Sequence, residues 1–103
     1  MSNWKNISAA EVKRRMEAGE HLHLIDVRED EEFASGRIPG SRSVPLSRLP
    51  LVWREMDPDQ EMILICRSGN RSGQACEYLS LQGFTRLYNM EGGLLEWTGD
   101  LER

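Results

Sequence analysis

The chain has few cysteines, no long apolar run and no excess of positive charge, and each shortage argues against a class of protein. Only two cysteines occur in 103 residues, whereas small secreted scaffolds carry many more. No apolar run approaches the roughly 20 residues that a membrane span needs. The formal net charge is −4, which argues against nucleic acid as a partner because that affinity rests on neutralising phosphates.

These shortages leave a small protein of the cytoplasmic type. A single domain over residues 1–103 is expected, since domains usually comprise about 100–150 residues. The first residues lack the apolar stretch of a signal peptide, so we expect a cytoplasmic location and no membrane segment within this chain. The sequence leaves open whether the chain is a fragment of a longer, membrane-attached protein, and it does not indicate the oligomeric state.

Alternating helix and strand signals predict an α/β fold with a mostly parallel sheet. Ser8 and Glu11 form a capping-box pattern that predicts a helix over residues 9–18. The apolar run 62–66 is typical of a parallel strand covered on both faces, and a helix is predicted over residues 71–82. Weaker signals predict strands near 22–27, 44–45 and 86–88, and short helices near 29–35, 49–56 and 93–97.

A cysteine at the end of the strongest predicted strand is the main functional signal. Cys66 would lie at the carboxyl edge of the sheet, where ligands bind in open α/β proteins. The loop after it would direct backbone N–H groups at one point, with a helix N-terminus behind them, and such a site binds anions and stabilises a thiolate. Gly69 would permit a positive-φ turn and leave space for a bound group. Arg67 and Arg71 would favour the thiolate further.

The other candidate residues favour structural roles. His21 and His23 lie far upstream of Cys66, which argues against a cysteine–histidine pair of the protease type. Cys76 lies on the apolar face of the helix that follows the loop and is expected in the core. The two cysteines lack the ligand spacing of a metal site and have no histidines near them in the sequence, so no metal is expected.

Three segments resemble the rhodanese family in its small, single-domain form. Residues 66–72, CRSGNRS, are similar to the active-site loop of that family. Residues 26–28, 32–33 and 36–41 resemble the upstream signature of the family. Glu91, Gly92, Gly93 and Trp97 resemble its C-terminal signature. All three lie within residues 22–98 and follow the order of the family. The family often has His, Ala and Asn where this chain has Arg37, Ser41 and Ser43, and the role of Arg37 is left open.

The resemblance implies a rhodanese-like, doubly wound α/β domain with helices on both sides of its sheet. It also implies a thiosulfate sulfurtransferase without a cofactor. The catalytic residue Cys66 would take sulfur from a small anionic donor, thiosulfate or another persulfide, and a thiophile would then remove it. The acceptor would be cyanide in an assay and a small thiol or a protein thiol in the cell. The implied substrate-binding residues are Arg67, Ser68, Gly69, Asn70 and Arg71, and Asp26 and Arg28 would support the scaffold.

Other functions stay open beside sulfur transfer from small molecules. The sequence does not separate such an enzyme from a sulfur relay or from a regulatory rhodanese module that binds other proteins. A remote alternative is a cysteine-dependent phosphatase or arsenate reductase. The loops of those enzymes place one more residue between cysteine and arginine than the Cys-x4-Arg spacing here. Ile65, rather than histidine, precedes Cys66, which also disfavours a tyrosine phosphatase.

Overall fold

A parallel sheet organises the chain, and a computed structural model describes residues 3–103 of it. Within those residues the sheet has five strands in the order β1-β5-β4-β2-β3, and every neighbouring pair is parallel. The strands are Trp4–Ser8 (β1), Leu24–Asp26 (β2), Arg42–Ser43 (β3), Met62–Ile65 (β4) and Leu87–Glu91 (β5).

Helices cover both faces of this sheet. They are Ala9–Glu17 (α1), Asp30–Ser35 (α2), Leu49–Val52 (α3) and Asn70–Leu81 (α4), with single 3-10 turns at Leu46–Arg48, Trp53–Glu55 and Gly93–Glu96. In the described part of the chain, none of the helices is long and apolar enough to cross a membrane.

The continuous apolar composition of β4 follows from cover on both of its faces. Successive side chains of a strand point to opposite sides of the sheet. Met62 and Leu64 pack into one cluster with residues of α3 and α4. Ile63 and Ile65 pack into a second cluster with residues of α1. The doubly wound α/β fold that the sequence predicts is therefore confirmed.

The two helices on either side of the sheet begin and end close to their predicted positions. The hydroxyl of Ser8 accepts a hydrogen bond from the N–H of Glu11 at 3.0 Å, and α1 ends one residue before its predicted end. The helix α4 begins at Asn70 and ends at Leu81, one residue earlier at each end than predicted. Capping and apolar spacing therefore suffice to locate both helices.

Other elements differ from the prediction. The strand β3 lies at Arg42–Ser43 rather than at 44–45, although the N–H groups of Val44 and Leu46 still donate to the carbonyls of Asp26 and Val27. The predicted helix over 49–56 is reduced to α3 between two 3-10 turns. The sequence does not predict β1, which forms the edge of the sheet and pairs in register with β5.

The structure confirms that Cys76 is a core residue. Its side chain is fully buried in α4, in the cluster that also contains Ala75 and Leu79. Burial raises the pKa of the Cys76 thiol to about 12. This thiol is therefore protonated and unreactive at neutral pH.

Replacing Cys76 tests how apolar its surroundings are. The variant Cys76→Ser is expected to lower the free energy of unfolding by about 1–3 kcal/mol, because a buried hydroxyl loses its hydrogen bonds to water. The variant Cys76→Ala leaves only a small void and should cost about 1 kcal/mol. Urea unfolding of both variants at pH 7 measures the difference. A serine variant as stable as the alanine variant would contradict this description of the core.

Candidate functional site

The candidate site is the sharp turn that joins β4 to α4. Four residues, 66–69, connect Ile65 at the end of β4 to Asn70 at the start of α4. Gly69 has a φ of +97°, a conformation that favours glycine. The positive-φ turn expected from the sequence is therefore confirmed. It brings the N–H of Gly69 to 3.0 Å from the Sγ of Cys66.

Hydrogen-bond donors around the Cys66 sulfur determine its chemistry. Cys66 is fully buried, and burial alone would raise the pKa of its thiol. The Ser72 hydroxyl and the backbone N–H groups of Ser72, Gly69 and Ser68 outweigh that effect and lower the pKa below its usual value. A lowered pKa favours the thiolate, which is the nucleophilic form of a cysteine. Cys66 and Cys76 thus have opposite chemical character, although both are buried.

A buried asparagine lies behind the thiol, and the sequence does not single it out. The Ser72 hydroxyl is 3.3 Å from the Sγ of Cys66 and also forms a hydrogen bond with the Oδ1 of Asn89 on β5. The Nδ2 of Asn89 donates to the carbonyl oxygen of Gly69 at 3.1 Å and to the Oδ1 of Asn6 at 3.2 Å. A polar residue between two apolar ones in a strand is the signal that could have identified Asn89.

The structure gives the two loop arginines different surroundings. Arg71 forms a bidentate pair with Glu32 of α2, with N–O distances of 2.7 and 3.0 Å. The hydrogen bonds from Arg71 hold the pKa of Glu32 at about 2. Arg67 is exposed, and it forms no ion pair with any residue from 3 to 103. The positive charge left uncompensated at the loop is therefore that of Arg67.

The pair of Asp26 and Arg28 anchors α2 beside the loop. Both side chains are buried, and the Nη2 of Arg28 lies 2.8 Å from the Oδ2 of Asp26. Arg28 also donates to the backbone carbonyl oxygens of Gly36 at 2.7 Å and Glu32 at 3.2 Å. The buried pair therefore fixes the helix whose Glu32 carboxylate holds Arg71.

A double-glycine turn packs against the loop from the other side. The N–H of Leu94 donates to the carbonyl of Cys66 at 3.0 Å, and that of Leu95 donates to the carbonyl of Arg67 at 3.1 Å. A Cβ on Gly93 would lie 2.4 Å from the Arg67 carbonyl oxygen. A Cβ on Gly69 would lie 3.0 Å from the backbone nitrogen of Gly92. The space at Gly69 that the sequence assigns to a bound group is thus needed by the protein's own backbone.

The remaining predicted residues lie around the rim or elsewhere. Ser68 and Asn70 are exposed and line an open groove beside the loop. His21 and His23 precede β2, at the end of the sheet opposite the loop, where their rings contact each other. Arg37 stacks on Phe33 and lies 3.5 Å from Glu102. Across residues 3–103, no three His, Cys, Asp or Glu side chains are grouped to hold a metal ion.

Comparison with known proteins assigns the chain to a family. A family model described as "Rhodanese-like domain" matches residues 8–100. The chain is 47% identical over 96 residues to a Bacillus subtilis protein named "Putative sulfurtransferase YtwF", covering 93% of this chain and 92% of that protein. It is 32% identical to "Thiosulfate sulfurtransferase GlpE" of Pseudoalteromonas translucida, over 91% of this chain and 89% of the relative.

A solved structure agrees with the sequence matches. The crystal structure of a rhodanese-like domain protein from Staphylococcus aureus superimposes with a TM-score of 0.87 and 33% sequence identity. The match covers 95% of this chain and 96% of that one. The similarity therefore extends over the whole fold that positions Cys66.

The close approach of Gly93 to the loop can be tested against a matched glycine. Both Gly93 and Gly83 have positive φ, but a Cβ on Gly83 would meet open space. Gly83→Ala should therefore cost only backbone strain, about 1 kcal/mol of unfolding free energy. Gly93→Ala should cost at least about 3 kcal/mol, because its Cβ overlaps the Arg67 carbonyl. Urea unfolding measures both values. Equal losses of unfolding free energy would show that the loop moves away from the new Cβ of Gly93→Ala without a loss of stability.

Proposed function

The chain belongs to the rhodanese-like domain family, and from that membership we propose that it is a sulfurtransferase that carries sulfur on Cys66. The donor is thiosulfate or another persulfide, and the acceptor is a thiophile such as cyanide, a small thiol or a protein thiol. The observation that carries the proposal is the convergence of hydrogen-bond donors on a single buried sulfur, which lowers the pKa of Cys66.

The first half-reaction moves no proton. The Cys66 thiolate attacks the outer sulfur of thiosulfate and forms a bond between that sulfur and Sγ. The sulfur–sulfur bond of thiosulfate breaks, and sulfite leaves with the electron pair. The product is a Cys66 persulfide whose outer sulfur carries the negative charge. A site built from donors around a thiol suits this chemistry, since the step requires anion stabilisation and no general base.

The second half-reaction returns the enzyme to its starting state. A thiophile attacks the outer sulfur, the bond between that sulfur and Sγ breaks, and the Cys66 thiolate leaves. Exchange at sulfur proceeds faster when the leaving thiol has a lower pKa. The donors that favour the thiolate therefore assist both the loading and the unloading of sulfur.

We assign the loop residues to the binding of the sulfur donor, each according to its surroundings. The backbone of Ser68, Gly69 and Asn70 cradles the transferred sulfur, because these residues line the tight turn after Cys66. Arg67 orients the sulfite end of thiosulfate, since its charge is not neutralised by a carboxylate. Arg71 contributes a fixed positive charge near the sulfur while its guanidinium stays paired with Glu32.

The setting of this activity is also part of the proposal. We assign the enzyme to the cytoplasm as one domain over residues 1–103, without a cofactor, without a nucleic-acid partner and without a membrane segment within this chain. Both cysteines are free in the structure, which suits a compartment where thiols are kept reduced.

Intact-mass measurement tests the proposed persulfide. Incubation with thiosulfate should add the mass of one sulfur atom, and a thiol reductant should remove it. The variant Cys76→Ala should gain the same mass, because the Cys76 thiol is buried in the core and takes up no sulfur. The variant Cys66→Ala should gain none. Absence of the gain in the wild-type protein, or its persistence in Cys66→Ala, would refute the proposal. Turnover of p-nitrophenyl phosphate that depends on Cys66, without sulfur loading, would favour a phosphatase instead.

The role of Arg67 can be separated from general surface charge. Arg67→Ala should raise the KM for thiosulfate about tenfold or more, because one charge-assisted contact to the donor is lost. Arg86→Ala is the control, since Arg86 is also exposed but precedes β5, at the end of the sheet opposite the loop. Steady-state rates of sulfur transfer from thiosulfate to cyanide give the KM of each variant. An unchanged KM in Arg67→Ala would remove this residue from the donor site.

A further inference from the structure

The hydroxyl of Ser72 lies between two acceptors and has one proton to give. Ser72 is fully buried in the first turn of α4. Its Oγ is 3.3 Å from the Sγ of Cys66 and is hydrogen-bonded to the Oδ1 of Asn89. A hydroxyl has a single hydrogen, so it donates fully to one of these partners at a time.

The orientation of the Asn89 amide is fixed by its other contacts. Its Nδ2 faces the carbonyl oxygen of Gly69 at 3.1 Å, and that oxygen can only accept. If the amide were turned over, its Oδ1 would face another acceptor in a buried site, which is unfavourable. The Oδ1 therefore points at Ser72 and needs a donor, because Asn89 is only 6% exposed.

We propose that Asn89 is a positioning residue that competes with Cys66 for the hydroxyl proton of Ser72. When Cys66 is a thiol, Ser72 donates to Asn89 and can accept from the S–H. When Cys66 ionises, the hydroxyl turns to the thiolate, and the Oδ1 of Asn89 loses its donor. Leaving a buried acceptor without a donor costs free energy. Asn89 therefore favours the neutral sulfur, while Ser72 favours the thiolate.

This competition predicts shifts of opposite sign from two neighbouring substitutions. Ser72→Ala removes a donor to the thiolate and should raise the pKa of Cys66 by about one unit. Asn89→Leu releases the Ser72 proton from its second acceptor and should lower the pKa of Cys66 by about half a unit to one unit. A merely structural role for Asn89 would loosen the loop and shift the pKa upwards, as Ser72→Ala does.

Charged groups near the sulfur are the same in all these variants. They are, by element, Asp26 of β2 with its partner Arg28 just after that strand, Glu32 of α2, Arg67 of the loop, Arg71 of α4, Glu91 of β5 and Glu96 of the final 3-10 turn. Among them, the positive charge of Arg71 is attracted by the negative charge of the Cys66 thiolate, which contributes to the raised pKa of Arg71. None of them is replaced, so a difference in the pKa of Cys66 between variants reflects which acceptor receives the Ser72 proton.

The test is a titration of the Cys66 thiolate by its ultraviolet absorbance, in the full chain with Cys76→Ala so that one thiol remains. The variants are Ser72→Ala, Asn89→Leu and the double variant, with Asn6→Ala as the matched control. Asn6→Ala removes a partner of the Asn89 Nδ2 but leaves its Oδ1 facing Ser72, so the pKa of Cys66 should not change. In the double variant the effect of Asn89→Leu should vanish, because the contested proton is gone.

Two results would overturn the proposal. One is an unchanged or raised pKa of Cys66 in Asn89→Leu, or in Asn89→Ala if the leucine variant does not fold. The other is that Asn89→Leu lowers the pKa of Cys66 by the same amount in the Ser72→Ala background as in the protein with Ser72. The proposal concerns the thiol itself and does not rest on the proposed sulfur transfer. If the opposite shifts are observed and no persulfide forms from thiosulfate, only the proposed function fails.

Discussion

The need to stabilise a negative charge on the buried sulfur of Cys66 is the constraint on which the rest of the site depends. Removing an ionised thiol from water costs free energy unless hydrogen-bond donors replace the water. The turn after β4 supplies such donors from its own backbone, and the first turn of α4 adds the Ser72 hydroxyl. Because backbone donors depend on the path of the chain, the chemistry of Cys66 depends on the shape of the turn as well as on the Ser72 hydroxyl.

The shape of the turn is held from two sides by different forces. On one side, the buried pair of Asp26 and Arg28 fixes α2, and the Glu32 carboxylate then engages Arg71. On the other side, the turn at Gly93 donates backbone N–H groups to the carbonyls of Cys66 and Arg67. Charged side chains therefore anchor the helix end of the loop, and backbone contacts anchor its strand end. The three segments that resemble family signatures in sequence are the loop itself and the two segments that support it.

The sequence predicts the central part of the fold well and its margins less well. The run ending at Cys66 is apolar because both of its faces are covered, and such a local pattern identifies β4 without knowledge of its neighbours. The edge strand β1 is not predicted because only two of its five residues are apolar and its partner, β5, is distant in sequence. The pairing of Arg71 with Glu32 and the contacts of Asn89 depend on distant segments, so composition and spacing could not reveal them.

The order of the strands also determines when the site can be completed during synthesis. The first strand of the sheet lies at an edge and pairs only with β5. The side chains of Asn6 and Asn89, which meet behind the loop, are 83 residues apart in sequence. A chain that emerges from the ribosome N-terminus first therefore leaves β1 unpaired until β5 has been made. Cys66 and its loop are translated before β5, and the thiol acquires its full surroundings only when β5 pairs with β1.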